Sequence, residues 1–100
     1  MKFKELIENI ELRPKSYLRN ESILEFSTLL LGFSLSNHDI DKEEAIFFEH
    51  FNAYVNSCYN HDENYNWAYL FLILAGGDEK VALSNFYMNY HKFMSQYCNY

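Results

Sequence analysis

The 100-residue chain has little that would bend or cross-link its backbone. It contains 3 Gly and 1 Pro, too few for the many turns of an all-β domain. Its 2 Cys, Cys58 and Cys98, are too few for a disulfide framework. The longest apolar run, "WAYLFLILA" from Trp67 to Ala75, falls far short of the roughly 20 residues needed to cross a bilayer. The opening "MKFKELIENIELR" alternates charge with apolar residues and so lacks the continuous apolar stretch of a signal peptide. These scarcities predict a cytoplasmic chain with reduced thiols, away from any membrane. Cations are also few: 8 Lys and Arg stand against 14 Asp and Glu, for a formal charge of −6. The phosphate backbone repels such a domain, which weighs against direct nucleic-acid binding. A basic protein would be steered toward it.

What is abundant is apolar and aromatic. Apolar residues make up 49% of the chain, including 9 Phe and 9 Tyr. That excludes disorder and predicts one domain, 1–100, with its own core. In "FKELIENI" the apolar residues Phe3, Leu6, Ile7 and Ile10 fall on one helical stripe, predicting a helix over Lys2–Leu12 that Pro14 stops. A second helix is expected over Glu21–Ser36, its wide apolar face placing it centrally, with Asn20 or Ser22 as cap. Asp41 followed by Glu44 forms a capping box for a third, Lys42–Tyr59, striped by Phe47, Phe48, Phe51, Tyr54, Val55 and Cys58. Cys58 on that stripe reads as a small buried hydrophobe. Trp67–Ala75, apolar all round, reads by periodicity as a buried helix or a buried strand. Its Leu and Ala content and helical neighbours favour a helix, ended by Gly76 and Gly77. Asp78 is expected to cap the last, Glu79–Tyr97. The expected fold class is all-α, a compact bundle of about five helices.

Catalytic and metal signatures are thin. "RPKSYL" (Arg13–Leu18) is similar to the "RPGMYIG" element of gyrase B-type ATPases, but Lys15 and Arg19 replace both glycines and no second glycine-rich loop follows. The corner reading is structural: Pro14 turns the chain, Tyr17 and Leu18 pack it onto the core, and Arg13, Lys15 and Arg19 sit near acidic helices. Asp39, Asp41 and Glu43 alternate like an EF-hand opening, yet Glu44 stands where that loop needs glycine and His50 where it needs glutamate. Cys58 and His61 have zinc-like spacing without a second ligand pair. His38, His50, His61 and His91 are scattered, with no nucleophile in a recognisable motif beside them. No metal, cofactor or catalytic role is expected.

Charge is unevenly placed. Residues 1–19 sum to +2, and residues 20–100 to −8. Between Ser36 and Glu63 stand Asp39, Asp41, Glu43, Glu44, Glu49, Asp62 and Glu63 against Lys42 alone. Tyr59, Tyr65, Tyr69, Tyr87, Tyr97 and Tyr100 exceed what the apolar stripes can enclose. Tyrosine supplies large contact area at low rotamer cost and is enriched at interface cores. Asp39, Asp41, Glu43, Glu44, Glu49, Tyr59, Asp62, Glu63 and Tyr65 are therefore the expected partner-binding set.

Landmarks along about 80 residues carry a wider resemblance: Arg13-Pro14 with Tyr17-Leu18, Glu25-Phe26 through Gly32, Phe47-Phe48 with Phe51-Asn52 and Tyr54-Val55, and Trp67-Ala68 with Ile73 then Gly76. In these the chain resembles small acidic helical bacterial immunity proteins of polymorphic or contact-dependent growth-inhibition toxin systems. The resemblance implies a protein that neutralises a cognate toxin, of the nuclease (RNase) class, by covering its basic cleft. The alternative is a regulatory or adaptor protein that binds another protein or itself.

Overall fold

The computed structural model describes residues 1–36, 38–60 and 65–98, at 98 the backbone alone. Five α-helices follow one another: α1 (Phe3–Leu12), α2 (Ile23–Leu35), α3 (Lys42–Cys58), α4 (Trp67–Leu74) and α5 (Glu79–Cys98). A 3-10 turn, Pro14–Ser16, joins the first two. The class is all-α, and no strand occurs among the described residues. None of their helices is long and apolar enough to cross a membrane.

Local chemistry sets the boundaries. Ser22 accepts the Glu25 N–H to start α2. The Glu25 carboxylate does not close a box on Ser22. It reaches back to the N–H groups of Arg19 and Asn20, at 3.4 and 3.0 Å, and folds the preceding corner onto the helix. Asp41 caps α3 by accepting the Glu44 N–H at 2.9 Å. After α4, Gly76 (φ +65°) and Gly77 (φ +88°) adopt left-handed backbone. The Gly77 N–H reaches the Leu72 carbonyl and the Gly76 N–H that of Ile73, the paired bonds of a Schellman ending. Asp78 then accepts from Lys80 and Val81 to open α5.

The core is phenylalanine. Phe3, Phe26, Phe47, Phe51, Phe71, Phe86 and Phe93 are fully buried, with Tyr90, Ile7, Ile10, Ile23 and Leu30. Helix α5 is the spine, against which α2, α3 and α4 all pack. Phe86 meets Phe26, Phe47, Phe51 and Trp67 at centroid separations of 4.8 to 6.2 Å. Most of these pairs are edge-on or tilted, as ring quadrupoles favour.

Burial departs from expectation on α2 and α4, at Phe48 and Cys58 on α3, and at Tyr17. On α2 only Ile23, Phe26 and Leu30 are buried, while Leu31 and Leu35 face outward. On α4, Tyr69, Ile73 and Leu74 are exposed. A helix with apolar residues all round can present only one side to a single core layer, so its remaining side faces water. Cys58 is exposed rather than buried, because α3 has already passed the edge of the core. At the "RPKSYL" corner Leu18 is buried as expected, but Tyr17 is exposed. Arg13, Lys15 and Arg19 make no ion pair among the described residues.

Candidate functional site

The expected partner-binding residues divide along α3. Asp39, Asp41, Glu43 and Glu44 stand at its start, Glu49 midway, and Tyr59 and Tyr65 at its end. A helix of 17 residues separates those ends by about 25 Å. The outer face between them carries Lys42, Ala45, Glu49, Ala53 and Ser57, all exposed, with Glu49 as its one carboxylate. No continuous acidic stripe joins the two ends. Asp62 and Glu63, like His61 and Tyr100, lie outside the described residues.

The members differ in availability. Asp39 and Glu49 are exposed; Asp41 and Glu43 are half-buried. Glu44 is 0% exposed, which corrects its assignment as a contact residue. Its position one turn into α3, on the side of Phe47 and Phe51, points it inward. There both carboxylate oxygens receive the His38 Nε2–H, at 2.9 and 3.2 Å. Nδ1 of the same ring lies 2.9 Å from the Ser36 hydroxyl and 3.1 Å from the Ser36 carbonyl, and Phe33 packs against the ring at 4.7 Å. The hydrogen bond to Glu44 holds the His38 pKa above its ordinary 6.5; burial opposes this, and the charges of Glu44 and Asp39 and the Ser36 backbone bond add to it. The chain thus does place a serine, a histidine and a carboxylate in line. Yet the Ser36 hydroxyl donates to the Phe33 carbonyl at 2.6 Å, leaving its oxygen to accept from His38. With its proton directed to Phe33, the serine offers the imidazole a lone pair rather than a proton.

At the far end the tyrosines are fixed by amides. The Tyr59 hydroxyl accepts from Asn89 Nδ2 at 3.2 Å, and its ring meets Phe71. Tyr65 is held by its backbone: its N–H donates to Asn56 Oδ1 at 3.2 Å, and its carbonyl accepts from Asn56 Nδ2 at 2.9 Å. Asn56, buried in α3, thereby pairs with the incoming chain as a strand neighbour would. Both rings remain partly exposed.

Apolar exposure is what sequence reasoning did not place. Leu35 (77% exposed) and Ile40 (57%) flank the α2–α3 corner. Ile40 lines a shallow cleft of about 240 Å³ with Asp39, Asp41, His38, Glu44, Met1, Lys2 and Phe3. A second open cleft, about 270 Å³, lies between α2 and α3, with Leu30, Phe47 and Trp67 as floor and Thr28, Leu31, Phe48, Asn52 and Asn66 around it. None of its lining residues carries a charge. Among the described residues no group of three or more His, Cys, Asp or Glu is arranged to hold a metal ion. In comparison with known proteins, no family model, no curated protein and no solved structure matches the chain significantly.

Proposed function

We propose that the chain is a non-catalytic immunity protein that binds a cognate bacterial toxin and covers its basic, nuclease-type cleft. The observation that carries this reading is the α2–α3 corner, where exposed Leu35 and Ile40 stand among Asp39, Asp41 and Glu43. Apolar anchors collared by carboxylates suit a cationic cleft: the anchors supply the desolvated contact, and the carboxylates supply orientation and rate. Lys2 and Lys42 also stand at this corner, so the attraction comes from the whole −6 molecule as well as from the corner. Tyr59 and Tyr65 would be touched only by a partner reaching along α3.

The test is a neighbouring toxin-like reading frame, toxic when expressed alone and harmless beside this chain. The double variant Asp39→Lys, Ile40→Asp is expected to weaken the complex by tenfold or more, and added salt to slow its association. A complex indifferent to both, with the corner in bulk water, would refute the reading.

The uncharged α2–α3 cleft favours a second reading, an adaptor that self-associates. In an isologous dimer each residue near the axis meets its own copy, so a highly acidic molecule pairs best through a face without charge. Light scattering at micromolar to millimolar concentration decides it: a dimer that Leu31→Asp dissociates supports this reading, and a monomer throughout rejects it.

A further inference from the structure

We propose that His38 is a proton-operated clip that locks the α2–α3 corner, so that the face carrying Asp39, Ile40 and Asp41 is held in place only while the imidazole is doubly protonated. The argument starts from what each ring nitrogen meets. Nε2 meets the two oxygens of Glu44, at 2.9 and 3.2 Å. Nδ1 meets the carbonyl of Ser36 at 3.1 Å and its hydroxyl oxygen at 2.9 Å. A carboxylate and a carbonyl only accept, and the Ser36 hydroxyl already donates to Phe33. Both ring nitrogens must therefore donate, which only the imidazolium can do.

The two ends of this bridge lie on different helices. Ser36 is the C-terminal cap of α2, and Glu44 lies in the first turn of α3, one turn after the cap Asp41. Loss of one proton leaves a lone pair on either nitrogen. On Nε2 it would face a fully buried carboxylate; on Nδ1 it would face the Ser36 carbonyl. Serine could turn its hydroxyl toward Nδ1, but only by giving up the 2.6 Å bond that closes the end of α2. Each neutral tautomer thus breaks the bridge on one side, and Glu44, 0% exposed, loses its charged partner.

Every charged group around the ring bears on the balance. Glu44 of α3, its cap Asp41, Asp39 of the connection, and Lys2 and Met1 ahead of α1 line the same cleft as the ring; from the end of α2 come Ser36 and Phe33. The hydrogen bond to Glu44, with the charges of Glu44 and Asp39, raises the His38 pKa against the effect of burial. The sign follows: the clip is closed below pH 6.5 and opens as pH rises through the higher folded value. Clip strength is thus a dial on the binding face, and that consequence rests on the corner being the partner surface. The clip itself does not.

The test therefore uses the free protein. The His38 ring is titrated by NMR between pH 6 and 9, with the signals of His50, His61 and His91 assigned separately. Amide exchange is followed in the first turns of α3. The expected result is a His38 midpoint above 6.5, lowered in Glu44→Gln, with amide protection falling severalfold as it titrates. His38→Gln, which keeps a donor and no titration, should flatten that dependence. A midpoint at or below 6.5, or an unchanged profile in His38→Gln, overturns the proposal. A failed search for a basic partner would leave these readouts intact.

Discussion

A few polar side chains fix the loops of this molecule, and each has a distinct cost of removal. Asn56 satisfies both backbone groups of Tyr65 and also bonds the Asn52 carbonyl at 2.7 Å. Asn56→Leu would leave the Tyr65 N–H and carbonyl without that partner, at about 1–3 kcal/mol each. Urea unfolding should show a loss of that order, with exchange rising first around residue 65. Tyr87 behaves oppositely. Its hydroxyl is buried without a hydrogen-bond partner among the described residues, and burial, with the charges of Glu11 and Glu21, pushes its pKa well up. Tyr87→Phe removes an unsatisfied donor, so its denaturation midpoint is expected to equal or exceed that of the parent chain. Cys58, being exposed, should alkylate in the folded protein without denaturant. These residues also mark where the sequence was opaque. An asparagine or a histidine is one letter whether it solvates a surface or ties two segments together, and Asn56 and His38 each act on a partner that only the fold brings near.

At the scale of the helix, sequence spoke most clearly. All five helices lie within two residues of their expected positions, because caps act locally: Ser22, Asp41, Asp78 and the Gly76–Gly77 pair each bond to groups a turn away. Gly77 tests this. At φ +88° a side chain is strained even though a Cβ would meet no neighbour within 4 Å, so Gly77→Ala should cost about 1–2 kcal/mol, read as a lower midpoint in thermal unfolding. Which side of each helix turns inward was less legible. Periodicity placed α1 well, and on α3 it found Phe47, Phe51 and Val55 but also drew in Phe48 and Cys58, which are exposed. It could not rank the sides of α2 and α4, whose apolar residues surround the axis, and so it did not single out Leu31, Leu35, Ile73 and Leu74 as exposed. Glu44 was misplaced for a related reason: first-turn carboxylates normally face water, and this one is turned inward to a histidine six residues before it.

At the scale of the whole molecule, stability rests on rings that share one centre. Phe86 touches rings contributed by α2, α3 and α4. Phe86→Ala should cost about 3–5 kcal/mol, a large part of the 5–15 kcal/mol typical of a small domain, and circular dichroism should show a shifted or incomplete folding transition. The surface is less unified than the core. Among the described residues its carboxylates stand around the start of α3, at Glu49 midway along it and along α1, while exposed leucines and isoleucines lie scattered between them.

Trp67 gives this molecule a built-in optical reporter. It is the only indole in the chain, 8% exposed, with Phe26, Phe47, Phe51 and Phe86 around it and one edge on the floor of the uncharged cleft. Its emission belongs to a dry environment in the folded chain and shifts to longer wavelength as the packing opens. Because the same ring forms the cleft floor, anything that settles there changes its colour or quenching, and occupancy can be followed without attaching a dye.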